Sequence, residues 1–110
     1  MTADVAPLLV ALADPTRQRV VKLLSQGPLR AGELARAMGT SAPTMSRHLR
    51  LLLRAGIVAD ERRADDARAR VFWLRPESMT PVRAWLDELQ TAGDEQLASF
   101  RRHLERRGAA

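Results

Sequence analysis

Two helix-forming segments stand next to each other near the middle of the chain, and this feature constrains the fold more than any other. The first, about residues 30–38, ends at Gly39, a residue type suited to the left-handed conformation that closes many helices. The second, about residues 42–55, starts after Ser41, a favourable N-cap, and stops at Gly56. Two helices joined by a tight glycine turn are the outline of a helix-turn-helix.

The second of these helices has an apolar side and a basic side on a helical wheel. Met45, Leu49 and Leu52 form the apolar side, which we expect to face the core. The opposite side consists of Pro43, Arg47, Arg50 and Arg54, and Thr44 and Ser46 flank its N-terminal end. That end of a recognition helix reaches base edges, where Arg47 suits a bidentate contact with guanine. The two later arginines suit phosphates, and His48 has either a structural or phosphate-bonding role or a role in base recognition.

Short β-type runs follow the second helix at about residues 57–59 and 70–74. The polar stretch between them contains Asp65 and Asp66, which mark a turn. A hairpin at this place would be a wing, over about residues 57–75. Its basic residues are Arg62, Arg63, Arg68 and Arg70. We expect these arginines to share a phosphate-facing surface with the helix, and those near the tip suit the minor groove.

Two helices are predicted before the helix-turn-helix. The first runs from Val5 to Ala13, and its apolar residues are Val5, Leu8, Leu9 and Leu12. The second, about residues 15–25, begins after Asp14, an N-cap that is followed by proline, and it ends before Gly27. The chain therefore contains four helices before the wing.

The last predicted helix covers about residues 81–106 and carries a long apolar stripe. Thr80 and Pro81 give a cap-plus-proline signal at its start. The stripe recurs at steps of three or four residues and consists of Val82, Leu86, Leu89, Gly93, Leu97, Phe100 and Leu104, bordered by Trp85. Because the spacing continues through Gly93, one helix is favoured over two. A kink there is the alternative, since glycine costs about 1 kcal/mol against alanine inside a helix.

Length and charge fit one small basic domain, residues 1–110. The formal net charge is +5, and residues 41–75 hold eight basic and four acidic residues. This excess favours a polyanionic partner, although solvated arginines on an ordinary surface are the alternative. The chain has no cysteine, which excludes disulfides and thiolate metal sites.

Several function classes are excluded or disfavoured. No motif pairs a nucleophile with a histidine, so we predict that the chain is not an enzyme. With two phenylalanines and two tryptophans, it has few aromatic residues for an RNA-stacking surface. The N-terminus lacks the features of a signal peptide, and no apolar stretch is long enough to span a membrane, so we expect a cytoplasmic protein without a membrane partner.

Four motifs occur together in an order and spacing typical of one family. They are Ala11 to Arg17, Gly32 to Ala35, Ser41 to Leu52 and Ala55 to Val58. Through them, residues 8–75 resemble the ArsR (arsenic-repressor) family of bacterial regulators. The resemblance implies a dimeric winged helix-turn-helix, mainly α with a small β-hairpin in the order α1-α2-α3-α4-β-β-α5. It also implies a repressor that leaves DNA on sensing a signal.

The resemblance assigns roles to individual positions. The family's DNA-facing positions correspond to Ala42, Pro43, Thr44, Ser46 and Arg47. Many members form dimers through the first and last helices, and the interface candidates here are Val5, Leu8, Leu9, Val82, Trp85, Leu89, Leu97 and Phe100. Packing within one subunit is the alternative for these residues.

Metal sensing is where the chain departs from the family. Metal-responding members carry a cysteine motif on the first helix of the helix-turn-helix, where this chain has Leu29 to Leu34. Other members use paired acidic and histidine ligands on the last helix, but His103 is the single histidine there and Arg102 is beside it. We therefore predict no metal ion and no other cofactor.

Together these features predict a sequence-specific DNA-binding repressor. Its partners would be double-stranded DNA and a second copy of itself, and the residues name no inducing ligand. A symmetric dimer implies an imperfectly palindromic operator with half-sites about one helical turn, or a multiple of it, apart. The alternative is a winged-helix module that binds another protein and has weak or no specific affinity for DNA.

Overall fold

The computed structural model describes residues 4–61 and 70–108 and has a mainly helical fold with a small antiparallel sheet. In chain order the elements are α1 (Ala6–Leu12), α2 (Pro15–Leu24), β1 (Leu29–Arg30), α3 (Ala31–Met38), α4 (Ala42–Arg54), β2 (Val58–Glu61), β3 (Val71–Leu74), a short 3-10 helix (Pro76–Met79) and α5 (Thr80–Gly108). Helices α3 and α4 form the helix-turn-helix, and β2 and β3 form the base of the wing. The predicted fold class, a winged helix-turn-helix, is confirmed.

The sheet has three strands in the order β1-β3-β2. Strands β2 and β3 form the predicted hairpin, in which Val58 lies opposite Leu74. Strand β1 pairs with the other edge of β3, where Leu29 lies opposite Phe72. The sequence pattern predicts only two strands, because a strand of two residues is too short to show alternation.

The ends of the helices are fixed by the residues that the sequence indicated. The carboxylate of Asp14 accepts the backbone N–H groups of Thr16 at 2.8 Å and Arg17 at 3.1 Å, so Asp14 is the N-cap of α2. Gly39 has φ 63° and ψ 31°, the left-handed conformation that closes α3 and lets the chain turn toward α4. Gly56, at φ 76°, follows α4 in the same way. The predicted caps at both ends of the helix-turn-helix are confirmed.

One cluster of buried apolar side chains joins the helices to the sheet. Its largest enclosed members are Leu34, Met45, Leu49, Leu52, Ile57, Val20 and Val58. Met45, Leu49 and Leu52 are the predicted apolar side of α4, and that prediction is confirmed. Burying a side chain of this size contributes about 1.5–3 kcal/mol, so three of them hold α4 firmly by its inner face.

Helix α5 extends well beyond this core. It follows the 3-10 helix directly, and Thr80 has helical φ and ψ of −56° and −46°. The prediction of Thr80 as an N-cap is therefore wrong, because the preceding turn leads straight into the helix. The helix is continuous through Gly93 and has 29 residues, which at 1.5 Å per residue is about 43 Å. Val82 is its only buried residue, so most of α5 has no contact with the core.

Candidate nucleic-acid interface

The outer face of α4 is exposed along its length. Its exposed residues include Ala42, Pro43, Ser46, Arg47, Arg50 and Arg54, whereas Thr44 is half-buried. Arg47, Arg50 and Arg54 lie within seven residues, or about 10 Å of helix. Among the described residues, the arginines held in ion pairs are Arg70 and Arg75, so the three on α4 have no carboxylate partner there. This face is a free cationic row that can contact phosphates.

The first turn of α4 is organised by Ser41. Its hydroxyl oxygen accepts the backbone N–H of Thr44 at 3.3 Å and lies 2.9 Å from the hydroxyl oxygen of Thr44. The partial positive charge of a helix dipole is concentrated at this end. Ser46 and Arg47 follow immediately on the exposed side. The turn therefore presents hydroxyl groups and a guanidinium at the end of the helix that would enter a groove of DNA.

Arg70 at the base of the wing has a partner within the chain. Its guanidinium forms an ion pair with the carboxylate of Asp60 on the neighbouring strand and lies over the ring of Phe72, 5.4 Å from the centroid. A cation above an aromatic face is attracted to the ring electrons. The other predicted wing residues, Arg62, Arg63 and Arg68, lie outside the described residues.

A side chain from α2 connects α1 to the recognition helix. The Nε–H of Arg17 donates to the carbonyl of Ala11 at 2.7 Å, and its Nη2 donates to the carbonyl of Val10 at 3.3 Å. Its Nη1 lies 3.2 Å from Nδ1 of His48 on α4. One guanidinium therefore binds the end of α1 and the middle of α4 at the same time.

Sequence reasoning did not assign Arg17 this role. Arg17 belongs to one of the motifs that carry the family resemblance, and this was the only signal available. The contact joins residues 31 positions apart, so no local pattern reveals it. The backbone N–H of Arg17 is the largest cause that holds the pKa of the Asp14 carboxyl below its usual value of 3.8, and the positive charge of Arg17 acts in the same direction.

The residues available for a metal ion were tested by their grouping. Within residues 4–61 and 70–108, no three side chains of histidine, cysteine, aspartate or glutamate are close enough together to hold one. The two histidines of the chain lie on different helices, His48 on α4 and His103 on α5. The donor groups of the described residues therefore do not fit the metal sites that occur elsewhere in the family that this chain resembles.

The predicted subunit-interface residues fall into three environments. Leu8 and Val82 are in the core, Val5, Leu9 and Trp85 are half-buried, and Leu89, Leu97 and Phe100 are exposed. For Leu8 and Val82, the structure has packing within one subunit, which was the alternative. Further large apolar residues that the prediction omitted are exposed, namely Val10 at 60%, Leu86 at 52% and Leu104 at 52%. The exposed apolar surface is thus concentrated on α5.

No helix among the described residues is both long and apolar enough to cross a membrane.

The chain is similar to known proteins along most of its length. A family model described as a helix-turn-helix domain matches residues 12–61. An HTH-type transcriptional regulator of Mycobacterium tuberculosis, Rv2034, is 43% identical over 81 residues, which cover 74% of this chain and 73% of the relative. The arsenical resistance operon repressor of Escherichia coli is 31% identical over 108 residues, which cover 94% of this chain and 86% of that repressor.

A solved structure agrees with these matches. The crystal structure of the ArsR family transcriptional regulator RHA00566 superposes with a TM-score of 0.73 at 33% identity, covering 80% of this chain and 93% of that one. The sequence relatives and the structural neighbour are all transcriptional regulators.

Proposed function

The chain belongs to the ArsR family of winged helix-turn-helix transcriptional regulators, and from this premise we propose that it represses transcription by binding a palindromic operator as a homodimer, without a metal cofactor. It is a DNA-binding regulator and not an enzyme. The finer statements concern which residues contact DNA, how two copies assemble and whether a metal ion takes part.

The observation that carries the proposal is the division of α4 into two faces. Its inner face is buried through Met45, Leu49 and Leu52, so the helix has a fixed rotation on the core. That rotation exposes Ser46 and Arg47 near its N-terminal end. We assign base contacts to these residues together with Ala42, Pro43 and Thr44, and phosphate contacts to Arg50 and Arg54.

The wing takes a smaller part in this proposal. Arg62, Arg63 and Arg68 keep their predicted role at the phosphates or the minor groove. Arg70 reaches DNA only if its guanidinium leaves the carboxylate of Asp60 or contacts a phosphate from within that ion pair. We therefore place most of the specific affinity in α4.

Homodimer formation is supported by the exposed apolar side of α5. Leu86, Leu89, Leu97, Phe100 and Leu104 are all more than half exposed. A monomeric protein has little reason to keep so many large apolar side chains in one row in water. A symmetric dimer places two copies of α4 on the DNA, and a two-fold symmetric protein binds a palindromic sequence.

Repression without a metal ion is supported by the donor groups of the chain. It has no cysteine, and its two histidines are on separate helices. A tetrahedral site for zinc needs four ligands, or three and a water molecule, that converge on one point.

The proposal is tested by titrating the purified protein against the DNA upstream of its own gene, with a scrambled duplex as control. The variant is Arg47→Ala, and the matched control is Arg102→Ala, which removes the same charge from an exposed position on α5. Loss of Arg47 should weaken binding to the specific site about tenfold or more and reduce the slope of log affinity against log salt by about one. The Arg102 variant should bind almost as the parent does.

The two outcomes separate the candidate functions. Specific binding that Arg47→Ala weakens and Arg102→Ala preserves supports the assignment of α4. If neither the upstream DNA nor a library of random duplexes is bound specifically, the chain is a protein-interaction module instead. If binding is specific but unaffected by the loss of Arg47, the contact residues lie elsewhere.

A further inference from the structure

The apolar stripe of α5 has a symmetric spacing. Leu89 and Leu97 lie four residues to either side of Gly93, and Leu86 and Phe100 lie seven residues to either side. Val82 and Leu104 extend the same symmetry to eleven residues. The order of steps is therefore the same when the helix is followed in either direction from Gly93.

These positions also share one side of the helix. At 100° per residue, all of them project within about 40° of the direction of Gly93. Val82 is buried in the core of its own chain, whereas Leu86, Leu89, Leu97, Phe100 and Leu104 are between 52% and 64% exposed. Most of the stripe is thus an uncovered surface on a continuous helix of 29 residues.

We propose that α5 pairs antiparallel with α5 of a second copy of this chain, about a two-fold axis at Gly93. This inference rests on the homodimer of the proposed function and specifies its register. A two-fold axis perpendicular to a helix maps each position onto the position equally far on the other side of the centre. Leu89 then contacts the partner's Leu97, and Leu86 contacts the partner's Phe100.

Gly93 suits the centre of such a crossing. It is in the interior of a helix, where glycine is less favourable than alanine. A Cβ built there would meet nothing within 4 Å in its own chain, so packing inside the subunit does not require glycine. A residue without a side chain lets another backbone come close. The two copies of Gly93 face each other at the axis in this arrangement.

The charges beside the stripe distinguish antiparallel from parallel pairing. Arg83, Asp87, Arg101 and Glu105 all project to the same flank, about 80–120° from Gly93. In an antiparallel pair the same flanks of both helices meet, and this brings Arg101 beside the partner's Asp87 and Arg83 beside the partner's Glu105. Each of these pairs is offset along the axis by two residues, or about 3 Å.

Parallel pairing loses these contacts. A two-fold axis along the helices places opposite flanks together, and Arg83 and Arg101 would then face Trp85 and His103 of the partner subunit. No carboxylate would lie opposite either arginine at that height. Complementary charges across an interface fix its orientation, so the flank favours the antiparallel register.

Engineered cysteines test the register without interference, because the natural chain has none. Leu89→Cys and Leu97→Cys variants, one of them with an affinity tag, are mixed, exchanged and oxidised. In the antiparallel register the mixture should give the tagged heterodisulfide as its main product. Each variant alone should stay uncrosslinked, because the two copies of residue 89 are then about 12 Å apart along the axis. A disulfide needs Cα atoms within about 7 Å.

Controls keep each outcome interpretable. Ala84→Cys lies on the opposite face of α5 and should remain uncrosslinked, and circular dichroism shows whether each variant folds. The pair Leu86→Cys and Phe100→Cys repeats the test at the next contact if a variant at 89 or 97 does not fold. Light scattering on the unmodified chain measures the dimer independently of any disulfide.

A heterodisulfide from the mixture alone supports the register. Self-crosslinking of Leu89→Cys, or a dimer in which neither mixed pair crosslinks, overturns the register while the homodimer stands. A chain that is monomeric by light scattering and bound to its operator overturns the register and the proposed dimer together.

Discussion

The guanidinium of Arg17 holds the imidazole of His48 by its Nδ1 atom, at 3.2 Å. An arginine side chain has only donors and stays charged at all accessible pH values. Nδ1 must therefore be the acceptor, which makes the ring neutral with its proton on Nε2. In the described part of the chain Nε2 has no hydrogen-bond partner, so this N–H is available for a phosphate or a base.

The first prediction concerns Arg17. Replacing it with glutamine should lower the free energy of unfolding by about 1–3 kcal/mol, because hydrogen bonds from a charged group to the carbonyls of Ala11 and Val10 are lost. Lysine should restore little, since it lacks the planar set of donors. Urea unfolding measures the change, and Arg19→Gln on the exposed side of α2 is the control for charge. An equal effect of both variants would show that charge alone matters.

The second prediction separates the two nitrogens of His48. The side-chain amide of asparagine can replace Nδ1 as a partner of Arg17, whereas that of glutamine reaches about as far as Nε2. If Nε2 contacts DNA, His48→Gln should retain more operator affinity than His48→Asn, and His48→Asn should retain more stability. Titration with operator DNA and urea unfolding measure these two quantities. The reverse order for affinity would restrict His48 to a structural role.

The third prediction uses two glycines of the helix-turn-helix. Gly39→Ala should destabilise the fold by about 1–2 kcal/mol, because an alanine is strained at φ 63°. Gly32→Ala lies within α3 at a position where a Cβ meets nothing within 4 Å, so it should stabilise by up to about 1 kcal/mol. Thermal and urea unfolding compare the two variants. Similar effects of the two substitutions would contradict the conformational explanation.

The fourth prediction concerns pH and Asp14. Its pKa is lowered in the folded state, chiefly by the backbone N–H of Arg17, so its contribution to stability is present above the unfolded value of 3.8. The contribution is lost as the pH falls through the lower, folded value. Asp14→Asn keeps a cap but does not titrate, so its stability should change less with pH below 3.8 than that of the parent. Parallel slopes for the two proteins would refute the assignment.

The fifth prediction concerns the base of the wing. Asp60→Asn removes one negative charge and releases the guanidinium of Arg70, so affinity for DNA at low salt should rise a few-fold. Adding Arg70→Ala to that background should cancel the gain. Salt titrations of the single and double variants measure both effects. If the double variant keeps the gain, the released arginine does not contact DNA.

The parts of the fold that the sequence predicted are those set by local chemistry. Asp14, Ser41 and Gly39 act on neighbours within four residues, and each does what its residue type favours at the end of a helix. The apolar side of α4 was equally accessible, because its period follows from the helix itself. The placement of the exposed arginines on α4 follows from the same period.

The parts that were missed depend on contacts between distant residues. Strand β1 exists because Leu29 meets Phe72, 43 positions later in the chain. The link between Arg17 and His48 and the ion pair between Asp60 and Arg70 also depend on tertiary packing. For Thr80, the cap signal was local, but a preceding 3-10 turn extended the helical conformation through it.

The two faces of α4 have a consequence for the evolution of such regulators. Met45, Leu49 and Leu52 determine whether the protein folds, and the exposed residues beside them contribute little to the core. A duplicated copy can therefore exchange Pro43, Ser46 or Arg47 and acquire a new target sequence without a loss of stability. Divergence of binding preference requires few substitutions and no compensating change in the interior.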